Sequence, residues 1–297
     1  MKKERGLKKQ RVLYKYMSIK EALQSRRLFF DGAMGTELYK RGFTGDTARV
    51  NLSANKTIEE IHREYVRAGA DIITANTFGA YKHAHRDFAN IIESAVSAAR
   101  AAVADADGKK PFVALDMGAT GLMLEPYGDV SLEACANIFF ESAQLGADCG
   151  VDLILIETMM DINELNCAVS AAVKTGLPVM ATMSFNANGR TMYGASVKDM
   201  TEALTHPNVI AAGMNCGFGP ELYMFLLDEL LTATSLPVIL QPNAGLPRSD
   251  TGRGMVYDCG PDEFATLMSE AAKKGVRLLG GCCGTTPGHI AEMINRI

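Results

Sequence analysis

Eight short apolar runs alternate with longer segments of helical period, and this alternation constrains the fold of the 297-residue chain more than any other feature. The runs are rich in Val and Ile and apolar almost throughout, which is typical of strands buried on both faces of a parallel sheet. Eight such βα units predict an α/β fold of the (β/α)8 type, a TIM barrel in a single domain. The predicted strands are Leu28–Ala33, Asp71–Phe78, Pro111–Met117, Val151–Thr158, Pro178–Phe185, Val209–Cys216, Pro237–Pro242 and Arg277–Gly281.

Several of the helical segments have recognisable ends. Three similar motifs contain a glycine: Ala-Gly-Ala-Asp at 68–71, Leu-Gly-Ala-Asp at 145–148 and Lys-Gly-Val-Arg at 274–277. Glycine adopts the left-handed conformation that ends a helix without a Cβ clash, so each motif predicts a helix end followed by a buried strand. The predicted helices are Thr57–Ala68, Ile91–Ala106, Leu132–Leu145, Ile162–Lys174, Pro220–Ala233 and Pro261–Lys274.

Charge divides the chain into two parts. Residues 1–16 hold seven Lys and Arg against one Glu, whereas the residues that follow hold 23 basic and 33 acidic side chains. We therefore predict a basic N-terminal extension at residues 1–24, disordered or helical, followed by a barrel at residues 25–297. The acidic body is a poor match for nucleic acid, and no apolar run reaches the roughly 18 residues of a membrane span, so neither partner is expected.

The cysteine content indicates a reducing compartment. Seven cysteines, two of them adjacent, differ from the spaced pairs of an oxidised framework, and the chain lacks the apolar stretch of a secretory signal. We therefore expect a cytoplasmic location. Cys135, Cys149, Cys167 and Cys259 fall in predicted helices or loops without a converging partner and are interpreted as structural.

Polar and glycine-containing motifs follow most of the predicted strands. In a closed barrel these positions form the carboxyl-terminal rim, where (β/α)8 enzymes carry their chemistry, so the motifs favour an enzyme. Nucleotide-binding loops of the G-x-G-x-x-G and G-x-x-x-x-G-K types are not found. The motifs include Asp-Gly-Ala-Met-Gly-Thr at 31–36, Asn-Thr-Phe-Gly at 76–79, Glu-Thr at 157–158, Asn-Cys-Gly at 215–217, Pro-Asn-Ala-Gly at 242–245 and Gly-Gly-Cys-Cys-Gly-Thr-Thr-Pro at 280–287.

Three cysteines lie in these motifs. Cys216 ends the sixth predicted strand, and Cys282 and Cys283 follow the eighth, so a closed barrel would bring their thiols near one another. Zinc favours sulfur ligands, and three thiolates would leave a fourth position for a substrate thiol that loses its proton there. The pattern alone leaves open that these cysteines are small buried side chains, a redox pair or the ligands of a structural zinc.

Five of the motifs together resemble the homocysteine S-methyltransferase family, over about residues 25–297. They are the motifs at 31–36, 76–79, 215–217, 242–245 and 280–287. The resemblance implies a (β/α)8 barrel in which Cys216, Cys282 and Cys283 hold Zn2+. It also implies that a methyl group is transferred to the thiol of homocysteine, which forms methionine.

The resemblance further implies a substrate site. Asp31 and Gly32 would hold the amino acid part of homocysteine together with Glu157, whose anion suits the ammonium group, while backbone N–H groups suit the carboxylate. On the residues alone, Glu157 could equally form a structural ion pair and Asp31 could cap a turn.

Within the family, the motif at 242–245 is most similar to the homocysteine domain of cobalamin-dependent methionine synthase. In that subgroup the asparagine, here Asn243, can fill the vacant zinc position before the substrate arrives. Ala75 stands where some relatives carry Thr, so the contact that a Thr hydroxyl group would make at this position is missing. Asn76 or Thr77 is expected to replace it.

The methyl donor is the least determined part of the prediction. Methionine synthases of this type carry their folate and cobalamin modules outside the barrel, so we expect methyl-cobalamin to come from a cobalamin-carrying partner or from a further module of a longer enzyme. This domain alone is not expected to bind it. The alternatives are a stand-alone enzyme that uses S-methylmethionine or another small donor, a non-catalytic homocysteine-binding subunit, and a thiol redox switch at Cys282 and Cys283.

Overall fold

The computed structural model describes residues 17–106, 110–250 and 254–297. Each of the eight predicted strands coincides with a strand of the barrel; most are shorter than predicted, and the fourth extends one residue further, to Met159. The barrel strands are β1 (Leu28–Phe29), β2 (Ile72–Thr74), β3 (Phe112–Met117), β4 (Leu153–Met159), β5 (Val179–Met183), β6 (Val209–Cys216), β7 (Val238–Pro242) and β10 (Leu278–Leu279).

These strands form one parallel sheet in the order β1-β10-β7-β6-β5-β4-β3-β2. The two ends of the sheet meet, because Phe30 forms a parallel bridge with Ile72 and Asp71 N donates a hydrogen bond to Phe29 O at 2.7 Å. The predicted (β/α)8 barrel is therefore confirmed. A short antiparallel hairpin of β8 (Arg248–Asp250) and β9 (Gly254–Val256), which was not predicted, follows β7.

Helices follow the barrel strands and cover the outside of the sheet. None of the helices in the described part of the chain is long and apolar enough to cross a membrane. The described helices are α1 (Ile19–Ser25), α2 (Gly35–Lys40), α3 (Val50–Ser53), α4 (Asn55–Ala68), α5 (Phe88–Ala104), α6 (Leu132–Asp148), α7 (Ile162–Ala172), α8 (Val197–Ala203), α9 (Pro220–Ala233), α10 (Pro261–Lys274) and α11 (Pro287–Arg296).

Two of the three predicted glycine ends are present. Gly69 and Gly275 cap α4 and α10 with φ values of 100° and 119°. The third prediction is wrong: α6 continues past Leu145 to Asp148, and Gly146 is buried inside it. A Cβ at Gly146 would lie 2.6 Å from Cδ2 of Leu115, so this glycine lets α6 approach β3 closely.

The interior of the barrel is divided into an apolar base and a polar mouth. The apolar base is a cluster of inward-facing strand residues, and three side chains of α1 (Ile19, Ala22 and Leu23) pack against it. Ser18 caps α1 in a capping box with Glu21. The predicted boundary between residues 24 and 25 falls inside α1, while residues 1–16 of the predicted extension lie outside the described residues. The strand residues of the apolar base are Leu28, Phe30, Ile72, Ala114, Leu153, Leu155, Met180, Ala211, Ile239 and Leu278.

Candidate metal centre and substrate pocket

The three cysteines of the rim motifs lie together. Cys216 is the last residue of β6, and Cys282 and Cys283 follow β10. Their sulfur atoms all lie within 4.8 Å of one another. Across residues 17–106, 110–250 and 254–297, no other group of three or more Cys, His, Asp or Glu side chains is placed to hold a metal ion.

Backbone contacts fix the position of these thiols. Cys282 N donates to Pro242 O at 2.8 Å, and Ala244 N donates to Cys283 O at 2.9 Å, so the cysteine pair is fastened to the end of β7. Cys216 has a φ of 58°, in the left-handed region that residues other than glycine rarely adopt. Strain of this kind persists only where the surrounding structure holds it, and it is frequent at functional sites.

The thiols also change one another's acidity. Interactions with the thiols of Cys216 and Cys282 lower the pKa of Cys283 to about 3. The pKa of Cys282 is raised well above its ordinary value, first by its hydrogen bonds to Cys216 and Cys283 and then by burial. The cluster thus accommodates one thiolate at neutral pH and attracts a cation that would allow the other two thiols to ionise.

The donor atoms at this position suit zinc. Three sulfur atoms form the set that Zn2+ favours. Asn243 follows β7 and is buried, and its side-chain oxygen Oδ1 has no hydrogen-bond partner among the described residues. Buried acceptors are rarely left unpaired, so a free amide oxygen beside the cysteine loops fits the role of a weak fourth ligand.

Three carboxyl groups lie in the mouth of the barrel near the thiols. Asp31 follows β1, Asp116 lies in β3 and Glu157 lies in β4. Burial raises the pKa of Asp31 to about 7. Burial, and then the charges of Asp31 and Cys283, raise the pKa of Glu157 to about 8. The pKa of Asp116 is raised well above its ordinary value by burial and by the charges of the other two carboxyl groups.

Asn215 lies between the carboxyl groups and the thiols. Its Nδ2 donates to Thr158 Oγ1 at 2.7 Å and to Glu157 Oε2 at 3.4 Å, and it lies 4.0 Å from Cys282 Sγ. Its Oδ1 accepts hydrogen bonds from Thr158 N and Thr182 Oγ1, both at 2.8 Å. The side chain is fully buried, so these contacts fix the positions of groups on β4, β5 and β6.

The other residues expected at the substrate site make contacts within the protein. Asn76 Nδ2 donates to Thr47 O at 2.9 Å, and Thr77 Oγ1 donates to Asp116 O at 2.8 Å. A Cβ at Gly32 would lie 2.6 Å from Thr285 Oγ1, so this glycine allows the first rim loop to approach the loop after β10. These three residues therefore shape the pocket, and direct contact with a substrate stays a prediction for each of them.

Sequence reasoning missed three polar residues of the barrel mouth: Asp116, Asn215 and Gln241. All three are buried near the ends of their strands, and Asp116 Oδ1 and Gln241 Oε1 have no partner among the described residues. Asn215 was part of the motif at 215–217, where no role of its own was assigned to it. Asp116 and Gln241 each lie two residues beyond an inward-facing apolar residue, Ala114 and Ile239, and this two-residue period could have identified them.

The interpretation of the remaining cysteines needs one correction. Cys135 in α6 and Cys167 in α7 are not without a partner, because the interaction between their thiols raises the pKa of Cys135 and lowers that of Cys167. Cys167 Sγ also donates to Leu132 O at 3.3 Å. The pair lies between α6 and α7, so these two cysteines belong to the packing of the outer helices.

The fold and the site define a class: a (β/α)8 barrel with three clustered thiols at the carboxyl-terminal rim, where enzymes of this fold carry their chemistry. The family model of homocysteine S-methyltransferase matches residues 28–297. The chain therefore belongs to the homocysteine S-methyltransferase family, a family of methyltransferases.

Similar proteins include methionine synthases that are much longer than this chain. The methionine synthase of Mycobacterium tuberculosis is 34% identical over 298 residues and that of Mycobacterium leprae is 33% identical over 297 residues, each match covering 92% of this chain. The chain spans about a quarter of the length of these relatives, 25% and 24% respectively.

A similar solved structure has nearly the same extent as this chain. The homocysteine methyltransferase MmuM from Escherichia coli is 25% identical. Its metallated form superposes with a TM-score of 0.77, covering 92% of this chain and 96% of that one. Its oxidised form gives a TM-score of 0.75, with coverages of 91% and 96%.

Proposed function

We propose that this chain transfers a methyl group to the thiol of homocysteine and forms methionine, with zinc held by Cys216, Cys282 and Cys283. The observation that carries the proposal is the cluster of these three thiols in a member of the homocysteine S-methyltransferase family. The similarity to a metallated form of MmuM supports a metal at the cluster. The preference of zinc for sulfur ligands supports the identity of the metal.

The pocket residues would bind and orient the substrate. Glu157 offers a negative charge to the ammonium group, and the backbone around Asp31 and Gly32 offers N–H groups to the carboxylate. Asn243 would supply its unpaired amide oxygen to the metal until a thiol displaces it. When bound, zinc would supply the positive charge that keeps a thiolate available at neutral pH.

The reaction is a displacement at the methyl carbon. The homocysteine sulfur attacks this carbon, and the new C–S bond forms as the bond between the methyl group and its donor breaks. The leaving group departs with the bonding electrons, and the thiol proton passes to solvent. The protein contributes mainly by holding the sulfur in position for this attack.

We propose methyl-cobalamin on a partner protein, or on a further module, as the donor. Exposed apolar side chains surround the mouth of the barrel on the loops that follow β2, β3, β5 and β7, and a large partner could cover them. The similarity to methionine synthases about four times longer supports a donor module outside this barrel. The exposed side chains are Phe78, Met123, Tyr127, Met192, Tyr193, Leu246 and Met255.

The second candidate is a stand-alone enzyme that takes its methyl group from S-methylmethionine or another small donor. The observation that favours it is that this chain covers 96% of the solved homocysteine methyltransferase MmuM, whose chain therefore extends little beyond the matched barrel.

The test measures zinc content and homocysteine methylation together in the wild type and in Cys282→Ala. The donors are methyl-cobalamin, S-methylmethionine, S-adenosylmethionine, betaine and methylfolate, each supplied separately. We expect C282A to lose both zinc and methylation. The matched control is Cys149→Ala at the end of α6, outside the cluster, which should keep both.

Three results would contradict the proposal. Full activity of C282A without bound zinc would show that the metal is not needed. A protein that binds zinc and homocysteine but methylates homocysteine with none of the five donors would be a non-catalytic subunit. Reversible oxidation of Cys282 and Cys283 without a change in zinc content would indicate a redox switch.

A further inference from the structure

Asp116 is a buried carboxyl group with an unused acceptor atom. It lies in β3, two residues beyond Ala114 of the apolar base, and therefore faces the inside of the barrel. Its side chain is buried, and Oδ1 has no hydrogen-bond partner among the described residues. Within residues 17–106, 110–250 and 254–297, no Lys, Arg or His forms an ion pair with it.

The position of Asp116 is fixed by its backbone. Asp116 N donates to Thr77 Oγ1 at 2.9 Å, and the same hydroxyl group donates to Asp116 O at 2.8 Å. The Thr77 hydroxyl group therefore bonds to both the backbone N–H and the backbone C=O of Asp116 and leaves the carboxyl group free for another partner. A carboxylate held in place but left unpaired is unfavourable in a folded protein unless a ligand completes it.

The neighbouring carboxyl groups differ from Asp116 in this respect. Both oxygens of Asp31 already accept hydrogen bonds from Thr74, one from the backbone N–H at 2.8 Å and one from the hydroxyl group at 2.9 Å. Glu157 accepts a hydrogen bond of 3.4 Å from Asn215. Asp116 thus has the least satisfied carboxyl group of the three and the greatest need for a hydrogen-bond donor.

A primary ammonium group is the ligand that fits this arrangement. It carries one positive charge and three N–H donors, whereas the pocket offers carboxyl oxygens from several strands. Burial, and then the charges of Glu157 and Asp31, raise the pKa of Asp116 in the absence of a ligand, and a cation between the carboxyl groups would reverse this effect.

We infer that Asp116 determines substrate specificity by pairing, together with Glu157, with the α-ammonium group of the substrate. The inference rests on the proposed function, in which homocysteine is the substrate, and it assigns a second residue to the recognition of its free amine. The pocket would thereby reject thiols of the same length that lack the amine.

The test compares the binding of two thiols to the zinc-loaded chain by calorimetry. The first is homocysteine, and the second is 4-mercaptobutyrate, which has the same length and carboxylate but no amine. In Asp116→Asn we expect the affinity for homocysteine to fall about 10- to 100-fold, the effect of losing one buried charged hydrogen bond. The affinity for 4-mercaptobutyrate should change less than about threefold, because that ligand never used the lost charge.

Two further measurements separate recognition from structural damage. The melting temperature of ligand-free Asp116→Asn should equal or exceed that of the wild type, because the substitution removes an unpaired buried carboxyl group. The matched control is Glu164→Gln, a buried carboxyl group that accepts two hydrogen bonds from Thr120 outside the barrel mouth. This variant should lower the melting temperature and keep the wild-type preference for homocysteine.

The outcomes distinguish this inference from the proposed function. If Asp116→Asn keeps the wild-type preference, or if the wild type binds both thiols equally, the role of Asp116 is wrong and the proposed function stands. If the zinc-loaded wild type binds neither thiol, the proposed function fails and this inference fails with it.

Discussion

Asn215 and Glu157 are joined by a hydrogen bond of 3.4 Å between Nδ2 and Oε2. The same amide nitrogen lies 4.0 Å from the sulfur of Cys282. One buried side chain therefore contacts both the carboxyl group proposed for the substrate ammonium and the thiol cluster. The distance between these two parts of the site is thus set by the protein before a ligand binds, as an efficient site requires.

Replacing Asn215 should disturb the stability and the metal site together. Asn215→Ala leaves the Thr158 N–H and the buried Thr182 hydroxyl without their acceptor, so we expect a loss of about 2–3 kcal/mol in the free energy of unfolding. Urea denaturation measures this loss, and competition with a chromophoric chelator should show weaker zinc binding. Asn166→Ala, an exposed asparagine of α7, is the control and should change neither quantity. Wild-type stability and wild-type zinc affinity in Asn215→Ala would contradict the role of Asn215 as a link between Glu157 and the thiols.

The barrel was predictable because its signals are local. Buried parallel strands require apolar runs, and the helix ends at Gly69 and Gly275 require a residue without a Cβ. The grouping of Cys216 with Cys282 and Cys283 followed from their positions at the ends of strands that a closed barrel brings together. Each of these inferences uses only chain order and one general rule of geometry.

Other features depend on contacts that sequence order does not reveal. Thr74 donates both its N–H and its hydroxyl group to Asp31, whereas Asp116 Oδ1 has no hydrogen-bond partner among the described residues, and sequence order does not show which of the two carboxyl groups is paired. Gly146 resembles a helix end in sequence, yet its role is set by the closeness of Leu115 on β3. The hairpin after β7 is short and polar at Arg248–Asp250, so it lacks the apolar pattern that predicts a strand.

Asp31 should make the ligand-free protein less stable as the pH rises. Burial raises its pKa from 3.8 to about 7, so between these values the unfolded chain ionises this group while the folded chain keeps it protonated. The folded state then binds more protons, and the free energy of unfolding falls with rising pH, by up to about 4 kcal/mol for this group. Its contribution is complete below about pH 4 and is lost as the pH passes about 7.

Denaturant unfolding of the wild type and Asp31→Asn between these pH values checks this expectation. The stability of the variant should fall less steeply with pH, whatever its absolute value. Equal slopes for the two proteins would show that Asp31 is not a buried protonated acid.

Asn243 should matter for zinc only while the substrate is absent. Asn243→Ala removes the unpaired amide oxygen, and we expect zinc affinity to fall about tenfold, or ~1.4 kcal/mol. The stoichiometry should remain that of the wild type, because the three thiols are unchanged. With saturating homocysteine the two proteins should bind zinc equally, since the substrate thiol would take the place of the amide. A tenfold difference that persists with homocysteine would assign Asn243 a purely structural role.

Helix α1 should stabilise the barrel from the end opposite the thiols. Leu23 is buried against the apolar base, and Arg277 Nη2 donates to Leu23 O at 2.6 Å just before β10. Leu23→Ala should therefore lower the free energy of unfolding by about 2–4 kcal/mol, as the loss of a buried leucine does elsewhere. Gln24→Ala, an exposed neighbour in the same helix, should have little effect, and both variants should keep wild-type zinc content. If Leu23→Ala unfolds at the wild-type urea concentration, residues 19–24 do not stabilise the barrel, and the predicted domain boundary between residues 24 and 25 stands. If it is destabilised as expected, α1, which begins after the capping box of Ser18, belongs to the folded barrel domain.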